Sequence, residues 1–302
     1  MNKRQRPGVL AVRAVNQYRR RDVLTYLALR YYLDNDAART DQWAREVATD
    51  LVLTRSAPAY FQALHFKDLS QRQSVDHRQM LLPGGNEALA EAALLAECSN
   101  YPHVFCNPAC VYSYPLNSGD DRSGIYENYS KGLRRRHNAI AKACDEIPDG
   151  VVQYIDLKKF YPSISISTAQ EVWRRAAVSA RLGSRWQALG DKLLANHGSI
   201  TSDKPSILTG PMFSHLIANL VLRKLDDEFA SNPKVRYFRY VDDITLVGAK
   251  EDVTRELREI RARADALGLA VHDDHSPKSL KLSSGEWLVG RADFHDSRRQ
   301  IS

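Results

Sequence analysis

Two adjacent carboxylates, Asp242 and Asp243, sit between the apolar runs Val235-Arg236-Tyr237-Phe238-Arg239-Tyr240 and Ile244-Thr245-Leu246-Val247-Gly248. The β-rich runs predict a hairpin whose tight turn presents both acids. Neighbouring Asp side chains repel each other and need a cation to hold them together. A divalent metal suits, because Mg²⁺ takes hard carboxylate oxygens together with substrate phosphates. The chemistry indicated is phosphoryl or nucleotidyl transfer. A third acid, Asp156, ends the run Val151-Val152-Gln153-Tyr154-Ile155, which follows the turn Pro148-Asp149-Gly150. If the two strands are neighbours, three carboxylates converge at one sheet edge. Such a cluster can clamp the attacking and leaving oxygens of a phosphoryl displacement between two ions roughly 4 Å apart.

Other clusters are weaker. Alternate residues of a strand face opposite ways, so His272-Asp273-Asp274-His275 does not converge as a whole and reads as a polar loop leading to Lys278. His103, Cys106 and Cys110 match no strong zinc spacing. Four cysteines in 302 residues do not make a disulfide scaffold.

The elements that must position these groups follow from periodicity. Residues 1–80 read as helical: Val23, Leu24, Leu27 and Tyr31 share a face, as do Trp43, Val47 and Leu51. Residues 82–130 read as irregular structure with short elements, and Lys131 to Cys144 as a basic helix. Residues 168–195 read as helical. Phe213, Leu216, Ile217, Leu220, Val221, Leu225 and Phe229 mark a long amphipathic helix before the hairpin. Val253, Leu257, Ile260, Ala264 and Leu267 mark another, stopped by Gly268. Leu269-Ala270-Val271 reads as a short strand, and Glu286-Trp287-Leu288-Val289-Gly290 as the opening of a second hairpin. The fold class expected is α+β, a sheet backed by helices on one face.

The chain carries a formal net charge of +7, with 43% hydrophobic and 26% charged residues. That composition suits a globular protein, and no apolar run approaches a membrane span. Arginines interrupt the N-terminal apolar stretch, which argues against a signal peptide; a cytoplasmic protein without membrane partners is expected. The charge is clustered: Lys3, Arg4, Arg6, Arg13, Arg19, Arg20, Arg21 and Arg30 face one acid, Asp22, and Lys131, Arg134, Arg135, Arg136 and Lys142 face none within 131–142. Clustered cations suit a polyphosphate backbone; two solvated helix faces are the plainer reading.

Several segments together resemble the palm motifs of reverse transcriptases. Asp156-Leu157-Lys158-Lys159-Phe160-Tyr161-Pro162-Ser163-Ile164 resembles the first. Leu208-Thr209-Gly210-Pro211-Met212-Phe213-Ser214, continued by Ala218-Asn219-Leu220 and Leu225-Asp226, resembles the second, and Tyr240-Val241-Asp242-Asp243 the third. Gly268-Leu269 with Ser276-Pro277-Lys278-Ser279 resembles the fourth, and Trp287-Leu288-Val289-Gly290 the hydrophobic primer grip. Order and spacing agree over about half the chain. The resemblance is nearest to bacterial defence-associated and abortive-infection groups. It implies a right-hand polymerase: a helical extension and fingers over 1–150, the first acid strand of an antiparallel palm over 151–164, fingers and palm helices over 165–205, and palm with primer-grip hairpin over 206–302.

The resemblance also implies roles. Asp156, Asp242, Asp243 and the Leu157 carbonyl would hold two Mg²⁺ ions, with Mn²⁺ a possible substitute. Tyr161 would sit under the sugar of the incoming dNTP and exclude a 2′-hydroxyl, unless it is an ordinary core aromatic. Gly210, beside Thr209 where many relatives carry Gln, would allow close approach to nucleotide and template, or simply join loop to helix. Lys278 would approach the triphosphate and protonate the leaving pyrophosphate, unless it is an exposed loop lysine. Lys131, Arg134 or Arg135 would grip the triphosphate.

The expected activity is RNA-directed DNA synthesis on a 3′-hydroxyl, in anti-phage defence, with an RNA template and a DNA product. Template-independent or protein-primed nucleotide addition is the alternative, followed by a non-catalytic nucleic-acid-binding subunit and, more distantly, a metal-dependent nuclease. The stretch after Asp243 is taken up by the fourth motif and the grip, so no helical thumb is expected. A non-coding RNA, a second protein or a second copy of the chain would hold the product instead.

Overall fold

The computed structural model describes residues 8–19, 23–69, 75–117, 123–201, 203–274, 276 and 278–290. The basic residues Lys3, Arg4, Arg6, Arg20 and Arg21, and also Asp22, His275 and Pro277, lie outside them. The chain runs α1 (Val9–Tyr18), α2 (Val23–Tyr32), a 3₁₀ turn (Ala37–Arg39), a π-helical stretch (Trp43–Ala48), α3 (Thr49–Thr54), then the hairpin β1 (Tyr60–Leu69) and β2 (Val75–Pro83). Next come α4 (Gly85–Cys98), α5 (Pro102–Phe105), α6 (Tyr129–Glu146), β3 (Val151–Asp156), α7 (Phe160–Ser163), α8 (Ile166–Ser179) and α9 (Ser184–Ile200). The last part holds α10 (Met212–Ala230), β4 (Val235–Tyr240), β5 (Asp243–Gly248), α11 (Lys250–Ala266), β6 (Leu280–Ser283) and α12 (Ser284–Val289). This is the α+β class expected, with antiparallel sheets.

The second sheet, ordered β4-β5-β3-β6, carries the acids at one edge. Paired residues of adjacent strands share a face. Asp156 pairs with Asp243, Tyr154 with Thr245 and Val152 with Val247, while Tyr240 and Phe238 pair with Asp243 and Thr245 from β4. That face is covered away from the acids by α6 and α12, through Ile140, Ala143, Cys144, Phe238, Val247 and Trp287. Ile155, Ile244, Leu246, Val235 and Tyr237 point the other way, into a core shared with Leu225 and Phe229 of α10 and Val253, Leu257 and Ile260 of α11. Helices therefore cover both faces, not one: the basic helix α6 has an apolar side, and the sheet buries it.

The helical reading of residues 1–80 fails from Tyr60 onward, where β1 and β2 pair antiparallel. Residues 82–130 are largely irregular, as expected, but hold one full helix, α4 at Gly85–Cys98, where only short elements were expected. The stretch 168–195 holds two helices, broken between Ala180 and Gly183. Leu269-Ala270-Val271 forms a single bridge to Leu157 rather than a strand. Residues 284–289 are helical, not a hairpin. Ser283 and Glu286 form a reciprocal capping box at the start of α12, which satisfies two N-terminal amides and nucleates a helix. The shared apolar face of α2 is exposed: Val23, Leu24, Leu27 and Tyr31 point outward, Tyr31 at 83%, while Thr25 and Leu29 are buried. Val47 and Leu51 are exposed too.

One long-range contact orients α10. Its first turn has no side-chain cap of its own. Glu91 of α4, fully buried, accepts from Phe213 N at 3.0 Å and from the Tyr60 hydroxyl at 3.4 Å. A carboxyl oxygen at a helix N-terminus satisfies an orphan amide; burial pushes the Glu91 carboxyl up to about 8, so it serves there as a hydrogen-bond partner rather than as a charge. Among the described residues no helix is long and apolar enough to cross a membrane.

Candidate active site

Asp156 ends β3, Asp243 begins β5 directly opposite, and Asp242 occupies the turn between β4 and β5. The turn is tied to β3 by Leu157 N, which donates to Asp242 O at 3.2 Å. The three acids expected to act together are therefore brought together. Burial, then the charges of Asp243 and Asp156, push the Asp242 carboxyl up to about 7, with Arg78 acting in the opposite direction. Asp156 Oδ2 accepts from Lys278 Nζ at 2.6 Å and lies 3.4 Å from His272 Nε2. The segment after α11 makes this possible. Gly268, at φ +73, ends the helix, with Leu269 N bonded to Ala264 O and Gly268 N to Asp265 O. The chain then runs alongside β3, where His272 N donates to Asp156 O and Lys158 N to Ala270 O. His272 thus belongs to the Asp156 site and not to a rival cluster.

Val241, in the middle of the turn, has φ +58. A β-branched residue in the left-handed region is a costly outlier, and such strain persists only where surrounding bonds determine it. Here Ser113 Oγ accepts from Val241 N at 2.9 Å and Arg239 Nη1 donates to Val241 O at 2.8 Å.

Tyr161, on the short α7, shares a hydrogen bond of 2.6 Å with His215 Nδ1. His215 in turn stacks on Tyr114, ring centroids 3.7 Å apart. The ring of Tyr161 is thereby held at a fixed tilt. Gly210 is buried with φ +129, and a Cβ there would stand 2.7 Å from the Leu81 carbonyl oxygen of β2. The neighbour that demands a glycine is the chain's own β2, and Thr209 O accepts from Leu81 N at 2.8 Å beside it.

The cations expected to grip a triphosphate are placed differently. Lys131, Arg134 and Arg135 lie on the exposed side of α6, with Arg135 paired to Glu127. The α6 cation that reaches the acid strand is Arg136, which donates to Thr245 Oγ1 at 2.5 Å and to Asp243 O at 3.4 Å. Arg78 was not anticipated. Its stretch, His77-Arg78-Gln79-Met80, falls in the residues read as helical and offers no local signal; the hairpin brings Arg78 within electrostatic range of Asp242. In the grip segment Trp287 is buried, donating from Nε1 to the Tyr154 hydroxyl at 2.7 Å. Leu288 and Gly290 are half-buried, and Val289 is 88% exposed.

Among the described residues no three His, Cys, Asp or Glu side chains already stand as a metal-holding group. The donor set nonetheless fits a hard divalent ion in kind. Three carboxylates crowd one edge, Asp242 is disfavoured as an anion by its neighbours, and the Lys278 ammonium supplies compensating charge at Asp156.

No protein-family model matches this chain, and no curated protein matches it. Among solved structures it is similar to telomerase from Candida albicans in complex with the TWJ fragment of telomeric RNA, with TM-score 0.45 and 11% identity. The match covers 76% of this chain, which spans 44% of that one.

Proposed function

We propose that this chain is a nucleotidyltransferase that extends a 3′-hydroxyl with deoxynucleotides on an RNA template. The observation carrying this reading is the register of Asp156 against Asp243, with Asp242 in the adjoining turn and Lys278 on Asp156. The motif order around that edge supports it. Asp156, Asp242 and Asp243 would hold two Mg²⁺ ions, or Mn²⁺ in their place, which supply charge stabilisation to both oxygens of an in-line displacement. The 3′-oxygen bonds to the α-phosphorus, the α–β bridge breaks, and the hydroxyl proton leaves to solvent. Lys278, already at the acid edge, would give its proton to the departing pyrophosphate. A place in anti-phage defence and a structured RNA, a second protein or a second copy as product holder rest on the motif resemblance.

Arg78 is the cation we assign to the triphosphate, in preference to Lys131 or Arg135. A charge-assisted bond to phosphate contributes about 1.5–3 kcal/mol. Arg78→Ala is therefore expected to raise the KM for dNTP about 10- to 100-fold in steady-state extension, with the melting temperature unchanged because the side chain is exposed. An unchanged KM would remove Arg78 from the site. Tyr161 we assign to the sugar. Tyr161→Ala is expected to lower discrimination against ribonucleotides by about 100-fold, the effect of steric contact in a fitted pocket. Competition between dNTP and rNTP during extension measures it, and retained discrimination would return Tyr161 to the core.

The reading itself is tested with Mg²⁺, labelled dNTPs and protein, with and without primed RNA, beside Asp242→Asn. Template-directed extension lost in the variant supports it. Incorporation without template favours terminal or protein-primed addition, and none under any condition favours a binding subunit.

A further inference from the structure

Arg239 is fully buried, and all five of its N–H donors are used. Nε and Nη2 grip Asp226 at 2.7 and 2.6 Å, Nη1 and Nη2 each reach Asn219 Oδ1 at 3.2 Å, and Nη1 reaches Val241 O at 2.8 Å. Tyr237 adds a hydroxyl bond to Asp226 at 3.0 Å. Asn219 Nδ2 donates to Ser113 O at 3.2 Å, and Ser113 Oγ accepts from Val241 N at 2.9 Å. The bonds close a ring: Val241, Ser113, Asn219, Arg239, Val241. The loop carrying Ser113 is itself fastened to β4, with Arg239 N bonded to Cys110 O and Tyr112 N to Arg239 O.

A buried ion pair is weak evidence for stability, since apolar residues of similar volume often serve as well. What apolar residues cannot do is hold both backbone polar groups of one residue in a conformation its side chain resists. We infer that Ser113, Asn219, Arg239 and Asp226 are positioning residues that lock Val241 in its left-handed turn and thereby aim Asp242 and Asp243. The inference rests on the proposed activity, since its purpose is to pre-set the carboxylates for divalent ions. The locking is independent of which reaction follows.

The test is a double-mutant cycle of Ser113→Ala with Val241→Gly, because glycine adopts this φ without strain. Ser113→Ala alone is expected to lower kcat about 10- to 100-fold, the cost of misplacing reacting groups by a fraction of an ångström to an ångström. The KM for dNTP should stay within about threefold. The Mn²⁺ midpoint, read from the electron paramagnetic resonance signal of free Mn²⁺, should rise several-fold, and the melting temperature should hold within a few degrees. In the Val241→Gly background the same change should cost less than about threefold. Equal penalties in both backgrounds, or an unmoved Mn²⁺ midpoint, would overturn the inference. If Ser113→Ala melts below the assay temperature, Asn219→Ala replaces it in the same cycle. If the unmutated protein binds Mn²⁺ but incorporates nothing on any template, the proposed activity fails while the Mn²⁺ arm still decides the locking.

Discussion

Asp242→Asn is expected to cut nucleotide incorporation by about 10³-fold or more and, without metal, to raise the melting temperature at pH 8. The loss follows from removing a full negative charge from the edge where Asp156 and Asp243 meet. The gain follows from the same geometry. Burial and two like charges push the Asp242 carboxyl up to about 7, above its ordinary value of about 3.9. A carboxyl raised by folding contributes stability that is fully present below its unfolded value and lost as pH rises through the folded one. The metal-free protein should thus lose stability relative to Asp242→Asn between about pH 4 and pH 8. Mg²⁺ should restore the unmutated protein by mass action and leave the variant unmoved. Thermal denaturation across pH, with and without Mg²⁺, reads all three effects. A variant less stable than the parent at pH 8 without metal would mean that the three carboxylates do not repel, and the site would lose its argument for a metal.

The acid edge was legible because β4 and β5 have strong apolar runs on both sides of a conspicuous pair, and because α11 presents one apolar stripe and α10 repeats large apolar residues at helical spacing. Elements without such contrast were missed. Helix α4 is buried on nearly all sides, from Ala88 through Leu95, so it has no amphipathic period to read. The hairpin β1–β2 has the opposite problem: Phe61, Leu64 and Phe66 of β1 are all exposed, so its large apolar residues do not mark a buried face. Helix α2 has a clear stripe that points outward; periodicity identifies a face but not what covers it. The capping box of α12 was present as Ser283 and Glu286, three residues apart, a signal masked by the aromatic that follows. Arg78 and Arg136 reach the site only through tertiary pairing, and each looks locally like any other arginine; Arg239 stands on the hairpin itself, but its partners Asp226 and Asn219 come from α10.

Those pairings also explain why the loop before α10 admits one residue type. Gly210→Ala is expected to destabilise the protein by about 3 kcal/mol or more, lowering the melting temperature by about 6–12 °C. Two costs add. At φ +129 an L side chain is strained, and its Cβ would press within 2.7 Å of Leu81 O. Neither partner yields easily. Leu81 is paired with Gln62 in the hairpin and its N–H is spent on Thr209 O, while α10 is anchored through Phe213 N to Glu91. Two glycines calibrate the scale. Gly268 has φ +73 and open space around it, so Gly268→Ala should cost only backbone strain, about 1–2 kcal/mol. Gly285, within α12 and also in open space, should gain about 0.5–1 kcal/mol on becoming Ala. Denaturant unfolding of the three variants should rank Gly210→Ala lowest and Gly285→Ala highest. Because β2 carries Arg78, Gly210→Ala should also weaken dNTP binding. If Gly210→Ala costs no more than Gly268→Ala, the Leu81 contact is not rigid. The hairpin would then be free to move against α10, and the fold would not hold Arg78 within electrostatic range of Asp242.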